Sequence, residues 1–90
     1  MECRHFKVKG LVQGVFYRAN TQKIAQNLKL TGWVKNCADG SVEAYACGNQ
    51  DALDSFEAWL WQGPARAKVD SVQSQPVSIR EFSDFLIQHD

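Results

Sequence analysis

The chain has 90 residues, with ten basic side chains against ten acidic ones, so its formal net charge is zero. That length leaves room for one domain, and folding at this size buries only about 60–65% of the unfolded surface, which demands an efficient core. With 44% hydrophobic and 22% charged residues the composition is that of a globular chain, and the balanced charge speaks against bulk nucleic-acid binding.

No run approaches the ~20 apolar residues of a membrane span, and the opening Met-Glu-Cys-Arg-His lacks the apolar stretch of a secretory signal. A cytoplasmic protein is expected. The cysteines are Cys3, Cys37 and Cys47. Their odd number and irregular spacing make a poor disulfide framework, and no Cys-x-x-Cys or Cys/His pair offers zinc a site. They are expected to be reduced, small buried hydrophobes in a domain without metal or cofactor.

Phe6 and Val8 alternate with His5, Lys7 and Lys9, which predicts a half-buried strand over residues 4–10. A turn follows, with Gly10 and Gly14 four residues apart. Tyr17, Thr21, Ile24, Ala25 and Leu28 then form one stripe of an amphipathic helix, opposite Gln22, Lys23, Gln26 and Lys29. Gly32 is the expected stop. Trp33-Val34-Lys35 reads as a short strand, and Asp39-Gly40 as a hairpin turn. Val42, Ala44 and Ala46 alternate with Glu43, Tyr45 and Cys47 over 41–47, a third strand. Asn49 is the expected N-cap of a second helix, whose stripe is Ala52, Leu53, Phe56, Trp59 and Leu60, and Gly63-Pro64 ends it. A strand over 68–74 is less regular, since Val69 and Val72 do not alternate, and Pro76 argues for an edge. Residues 82–87 supply a last apolar run with Phe85 and Ile87 on one face.

The order is β-α-β-β-α-β with a short additional strand: an α+β, ferredoxin-like sandwich, its antiparallel sheet carrying two helices on one face. The other face is expected to be half-wet, with Lys7, Lys9, Glu43 and Tyr45 on it. One domain, 1–90, accounts for the chain.

The chemistry is concentrated between the first strand and the first helix. A Gly-bearing turn aims backbone N–H groups inward, a helix N-terminus adds unsatisfied donors and positive potential, and Arg18 adds a fork that grips two phosphate oxygens. All three favour a small dianion. The spacing matches neither a dinucleotide fingerprint nor a P-loop. Asn36 is the second candidate. The first two strands run parallel in this topology, so Asn36 shares a sheet edge with the loop, where a carboxamide both donates to and accepts from a water. His5 and His89 lie near the termini, away from the loop, and no acid occurs between Glu2 and Asp39. Catalysis there would rest on positioning and electrostatics. An RNA-recognition module of the same topology needs exposed strand aromatics, and the third strand offers only Tyr45.

The run Gly10-Leu11-Val12-Gln13-Gly14-Val15-Phe16-Tyr17-Arg18 resembles one signature of the acylphosphatase family. Gly32-Trp33-Val34-Lys35-Asn36, with Asp39-Gly40-Ser41-Val42-Glu43 after it, resembles the second. The likeness extends through Phe56-x-x-Trp59-Leu60, Gly63-Pro64-Ala65 and Phe85-Leu86-Ile87. It implies metal-independent hydrolysis of acyl phosphates to a carboxylate and inorganic phosphate. Arg18 and the loop from Val12 through Gln13, Gly14, Val15, Phe16 and Tyr17 would hold the phosphate, and Asn36 would orient the water. The substrate's own phosphate would help take the water's proton. A phosphate- or carbamoyl-phosphate-binding module that does not hydrolyse is the alternative. Partners are expected to be small acyl phosphates, with no nucleic acid, no membrane and a monomeric state.

Leu11, Lys29, Cys37 and the ending Gln88-His89-Asp90 depart from the family's pattern. Cys37, beside Asn36, raises the expectation that its oxidation would disturb the site. The zero net charge conceals a division: residues 1–38 hold seven basic and one acidic side chain, net +6, and residues 39–90 hold three and nine, net −6. The field around Arg18 should therefore attract anions.

Overall fold

A computed structural model describes residues 1–89. Its elements are β1 (Glu2–Leu11), α1 (Tyr17–Asn27), β2 (Thr31–Asn36), β3 (Val42–Gly48), α2 (Gln50–Gln62), β4 (Lys68–Val77) and β5 (Phe85–Gln88). They form one five-stranded sheet in the order β4-β1-β3-β2-β5. The first four strands pair antiparallel, and β5 joins the edge parallel to β2, so the sheet is mixed. With β3 antiparallel to both neighbours, β1, β2 and β5 share a direction and their carboxyl ends lie together.

Alternation decides what each strand buries. Phe6, Val8, Val34, Val42, Ala44, Ala46 and Phe85 are sealed in the main core, with Leu53, Phe56 and Leu60 of α2 and Tyr17 and Ala25 of α1. Phe56 stacks edge-on against both Phe6 and Phe85, at 5.4 and 5.8 Å between centroids. Asn49 caps α2 by accepting from the Ala52 N–H at 2.8 Å, as its sequence position suggests.

Four local expectations need correction. The first concerns the end of α1, which stops before Gly32. Lys29 takes a left-handed conformation, φ 59°. The Leu30 N–H bonds Ala25 O and the Lys29 N–H bonds Gln26 O, at 2.9 and 3.0 Å, the paired pattern of a Schellman cap. Gly32 lies inside β2 at φ 138°, where a Cβ would sit 1.8 Å from Tyr45 O. Its service is close strand approach.

The second concerns β4, which runs to Val77 and is an edge strand, as Pro76 requires. Gly10 pairs with Val69 but Lys9 pairs with Ser71, so Asp70 is an extra residue. This bulge shifts the alternation by one and lets Val69 and Val72 both pack on the core. Gly10 accommodates it at φ 131°, where a Cβ would meet Lys68 O at 2.1 Å.

Third, the open face is less wet than expected. Tyr45 is only 8% exposed and Cys47 is buried, in a second cluster with Cys3 against which Trp33, Val77 and Phe82 pack. The segment after β4 covers them: Arg80 lies over the Tyr45 and Phe82 rings, and the Tyr45 hydroxyl donates to Ser78 O.

Fourth, the cysteines are not all reduced thiols. Cys3 and Cys47 form a disulfide, 44 residues apart, and only Cys37 is free. The two sit directly opposite each other on β1 and β3, with Cα atoms 4.0 Å apart. Spacing and parity along the chain say nothing of that register, which brings together strands separated by α1 and β2.

Candidate active site

At the shared carboxyl ends of β1, β2 and β5 lies a cavity of about 270 Å³, lined by Val12, Gly14, Phe16, Tyr17, Arg18, Ala19, Asn36, Ile87 and His89. It unites the two sites that the sequence proposes separately, the loop with Arg18 and the end of β2 with Asn36.

The helix start explains why an anion suits this place. The N-cap position of α1 is Phe16, which has no side-chain acceptor, and no acid occupies the first turn. The N–H groups of Tyr17, Arg18 and Ala19 therefore precede the first intrahelical bond, which Asn20 N–H makes to Phe16 O at 3.1 Å. All three residues line the cavity. The donors, the positive helix end and the half-buried Arg18 act on one volume.

Five of the seven expected loop residues line the cavity; Gln13 and Val15 do not. Val15 packs on the core. Gln13 uses its side-chain amide elsewhere, donating to Cys37 O and Ser41 O, both at 2.8 Å. Those carbonyls belong to the β2–β3 turn, so one side chain ties the loop to the hairpin that carries Asn36. Tyr17 is also an anchor: its buried hydroxyl donates to Leu60 O at 2.6 Å, and burial holds the phenol well above its ordinary pKa. It satisfies a carbonyl in the last turn of α2 and joins the two helices.

Asn36 Oδ1 is buried and accepts from no protein donor. A buried, unpaired amide oxygen is costly to maintain, and Asn36 is one of the residues that line the cavity. The adjacent turn is braced. Asp39 accepts from Ser41 N–H at 3.0 Å and from the Ser41 hydroxyl, and it pairs with Lys7 Nζ at 3.3 Å. The Ser41 hydrogen bonds, then Lys7, hold the Asp39 carboxyl well below the usual carboxylate range, and Asp39 raises Lys7. Burial pushes the Cys37 thiol up, so the thiolate that oxidants attack is disfavoured.

The sequence misplaces His89 and misses Asn20. β5 pairs with β2 through Lys35 and Gln88, so the next residues in register are Asn36 and His89, and the histidine lines the cavity. Parallel addition of a fifth strand was the missing signal. Asn20 Nδ2 donates to Phe16 O at 2.9 Å, reinforcing the backbone bond to the same carbonyl. A helix-surface asparagine carries no mark of that task.

A family model for acylphosphatase matches residues 4–87. An acylphosphatase of Xanthomonas euvesicatoria is 48% identical over 86 residues, covering 96% of this chain and 98% of the relative. The structure of an acylphosphatase from Coxiella burnetii superposes with a TM-score of 0.94 at 44% identity, over 97% of this chain and 92% of that one. The acylphosphatase from Bacillus subtilis gives 0.96 at 37% identity, over 99% and 100%. Sequence and fold agree across nearly the whole chain, which belongs to the acylphosphatase family.

Proposed function

We propose that Arg18 and the first-turn N–H groups of α1 hold the phosphoryl group, and that Asn36 orients the attacking water. The reaction itself is that of the family, hydrolysis of the acyl-phosphate bond. The observation that supports these roles is the single cavity lined by both Arg18 and Asn36. Water attacks phosphorus in line with the bridging oxygen. The new P–O bond forms as the old one breaks, and the electron pair of the broken bond leaves with the carboxylate. That anion needs no proton. The water's proton passes to a phosphate oxygen, so the protein's task is placement and charge stabilisation. Asn36 Oδ1 has no protein donor, so accepting from the water would break no protein bond. Neither metal nor cofactor enters the proposal.

The same reading makes the chain a single domain, 1–90, acting as a monomer on small acyl phosphates and releasing inorganic phosphate. It excludes nucleic acid as a partner, since Tyr45 lies under Arg80 and Phe82 and offers no free stacking face. Among the described residues no helix is long and apolar enough to cross a membrane. We place the protein in the cytoplasm, a compartment that keeps thiols reduced, so the thiol state of Cys3 and Cys47 in the cell tests the placement together with its fractionation.

The test is phosphate release from benzoyl phosphate in metal-free buffer with chelator. Turnover should persist. Arg18→Ala should nearly abolish it and weaken competitive inhibition by inorganic phosphate. Asn36→Ala should lower kcat by about a hundredfold, the scale of losing one positioned group, with a smaller change in phosphate inhibition. Full activity in either variant removes that residue's role.

A further inference from the structure

The start of α1 meets two demands that ordinarily exclude each other. Its first N–H groups must keep a fixed direction, and they must stay free for a ligand. An N-cap side chain fixes a helix start by accepting from those same groups, and Phe16 at that position has no such acceptor. Phe16 also holds φ 62°, a left-handed conformation that costs a non-glycine residue strain. Its ring is 74% exposed, so little packing holds it there. The bracing comes from the carbonyl side instead. Phe16 O accepts from the Asn20 N–H at 3.1 Å and from Asn20 Nδ2 at 2.9 Å. Tyr17 O accepts from the Thr21 hydroxyl at 2.7 Å. Two consecutive side chains thus reach back four residues to two consecutive carbonyls.

We propose that Asn20 is a positioning residue for the phosphate site, whose side-chain amide aims the Tyr17 N–H without occupying it. The proposal rests on the reading that the first-turn N–H groups and Arg18 hold the phosphoryl group. A peptide unit is planar and trans, so the Phe16 carbonyl and the Tyr17 N–H form one rigid plate and point in opposite directions. Holding the carbonyl toward the body of the helix turns the N–H toward its N-terminal end, where Tyr17, Arg18 and Ala19 line the cavity. Relaxation of Phe16 out of the left-handed region would rotate that plate and swing the N–H away. The side-chain bond of Asn20 opposes the rotation, and Thr21 does the same for the next peptide unit. The aimed donor serves substrate, transition state and product phosphate alike, so its loss falls on binding rather than on kcat. Asn20 differs in this from Gln13, which ties the loop to the hairpin that carries Asn36.

Asn20→Thr and Asn20→Val make the test, because they share one shape and similar helix propensity and differ in a single donor. A threonine at this place reaches back four residues as Thr21 does, and a valine has nothing to donate. The experiment measures kcat and KM for benzoyl phosphate, competitive inhibition by inorganic phosphate and the melting midpoint, in the wild type, both variants and Arg18→Ala. Asn20→Thr should stay within about twofold of the wild type in every kinetic constant, well under the tenfold that 1.4 kcal/mol represents. Asn20→Val should raise KM and the phosphate inhibition constant together by about fivefold, the scale of one net hydrogen bond, with kcat nearly unchanged. Its melting midpoint should fall by only a few degrees, since Phe16 O keeps the backbone N–H of Asn20. Equal kinetics in the two variants overturn the proposal, as does a lower kcat with unchanged phosphate inhibition. A lower melting midpoint in Asn20→Val with unchanged phosphate inhibition makes the amide a brace of the fold alone and overturns it too. Undiminished phosphate inhibition in Arg18→Ala would instead overturn the underlying placement of phosphate, whatever the Asn20 variants do.

Discussion

Gln13 donates both amide hydrogens across the sheet end, to Cys37 O and Ser41 O, and this sets the distance between the phosphate loop and Asn36. The groups proposed to bind phosphate all ride on the loop and α1, whereas Asn36 rides on β2. Gln13→Ala should therefore cut kcat about tenfold or more, because small misplacements of reacting groups are costly. Phosphate inhibition should change less. Cys37 O and Ser41 O each lose one of two donors and keep the backbone N–H of Gly40 and of Cys37, so melting should report a loss of only about 0.5–1.5 kcal/mol. Equal changes in kcat and phosphate inhibition would contradict this division of labour. At this scale the meeting of Arg18 and Asn36 in one cavity was legible, because parallel first and second strands put the loop and the end of the second strand on one sheet edge. The side-chain task of Gln13 was not, since its partners lie 24 and 28 residues on. His89 was misjudged because closeness to a terminus says nothing of which strand the terminus joins.

The elements show the same limit in a different form. Both helices and the first three strands follow from periodicity alone, since their buried stripes come from residues near one another in sequence. Irregularities come from partners. Val69 and Val72 break the alternation of β4 because Asp70 bulges against Gly10, and only the pairing with β1 reveals it. The end of α1 is set by Lys29 in the left-handed region, where a side chain is strained and glycine is not. Lys29→Gly should stabilise the protein by about 0.5–1 kcal/mol, the strain relief being partly offset by a more flexible unfolded chain. Thermal or urea unfolding measures it, and a lower midpoint would refute the argument. Lys29 is exposed and outside the cavity, so kcat should not move.

Across the whole molecule, the +6 and −6 halves of the sequence interleave. β1 and β2 of the basic half flank β3 of the acidic half, and Lys7–Asp39 and His5–Glu43 join the two. The bridge from Cys3 to Cys47 adds a covalent tie between β1 and β3. In the chain-entropy account a closed loop of this length removes about 4 kcal/mol of disorder from the unfolded state. Reduction should therefore lower the melting midpoint by about 10 °C or more for a chain this small. Comparing melts with and without reductant reads this directly, and coincident curves would show that the bridge adds nothing.

The bridge also draws a boundary around the chemistry. The ring that it closes runs from residue 3 to residue 47 and contains the phosphate loop, α1, Asn36 and the exposed turn at Ala38, Asp39 and Gly40. A single peptide cleavage in that turn yields two segments that remain one molecule. The N-terminal segment, which carries both Arg18 and Asn36, then keeps meeting the segment that carries β3, α2, β4 and β5 at the millimolar effective concentration of a short tether, independent of dilution, until a reductant opens the ring.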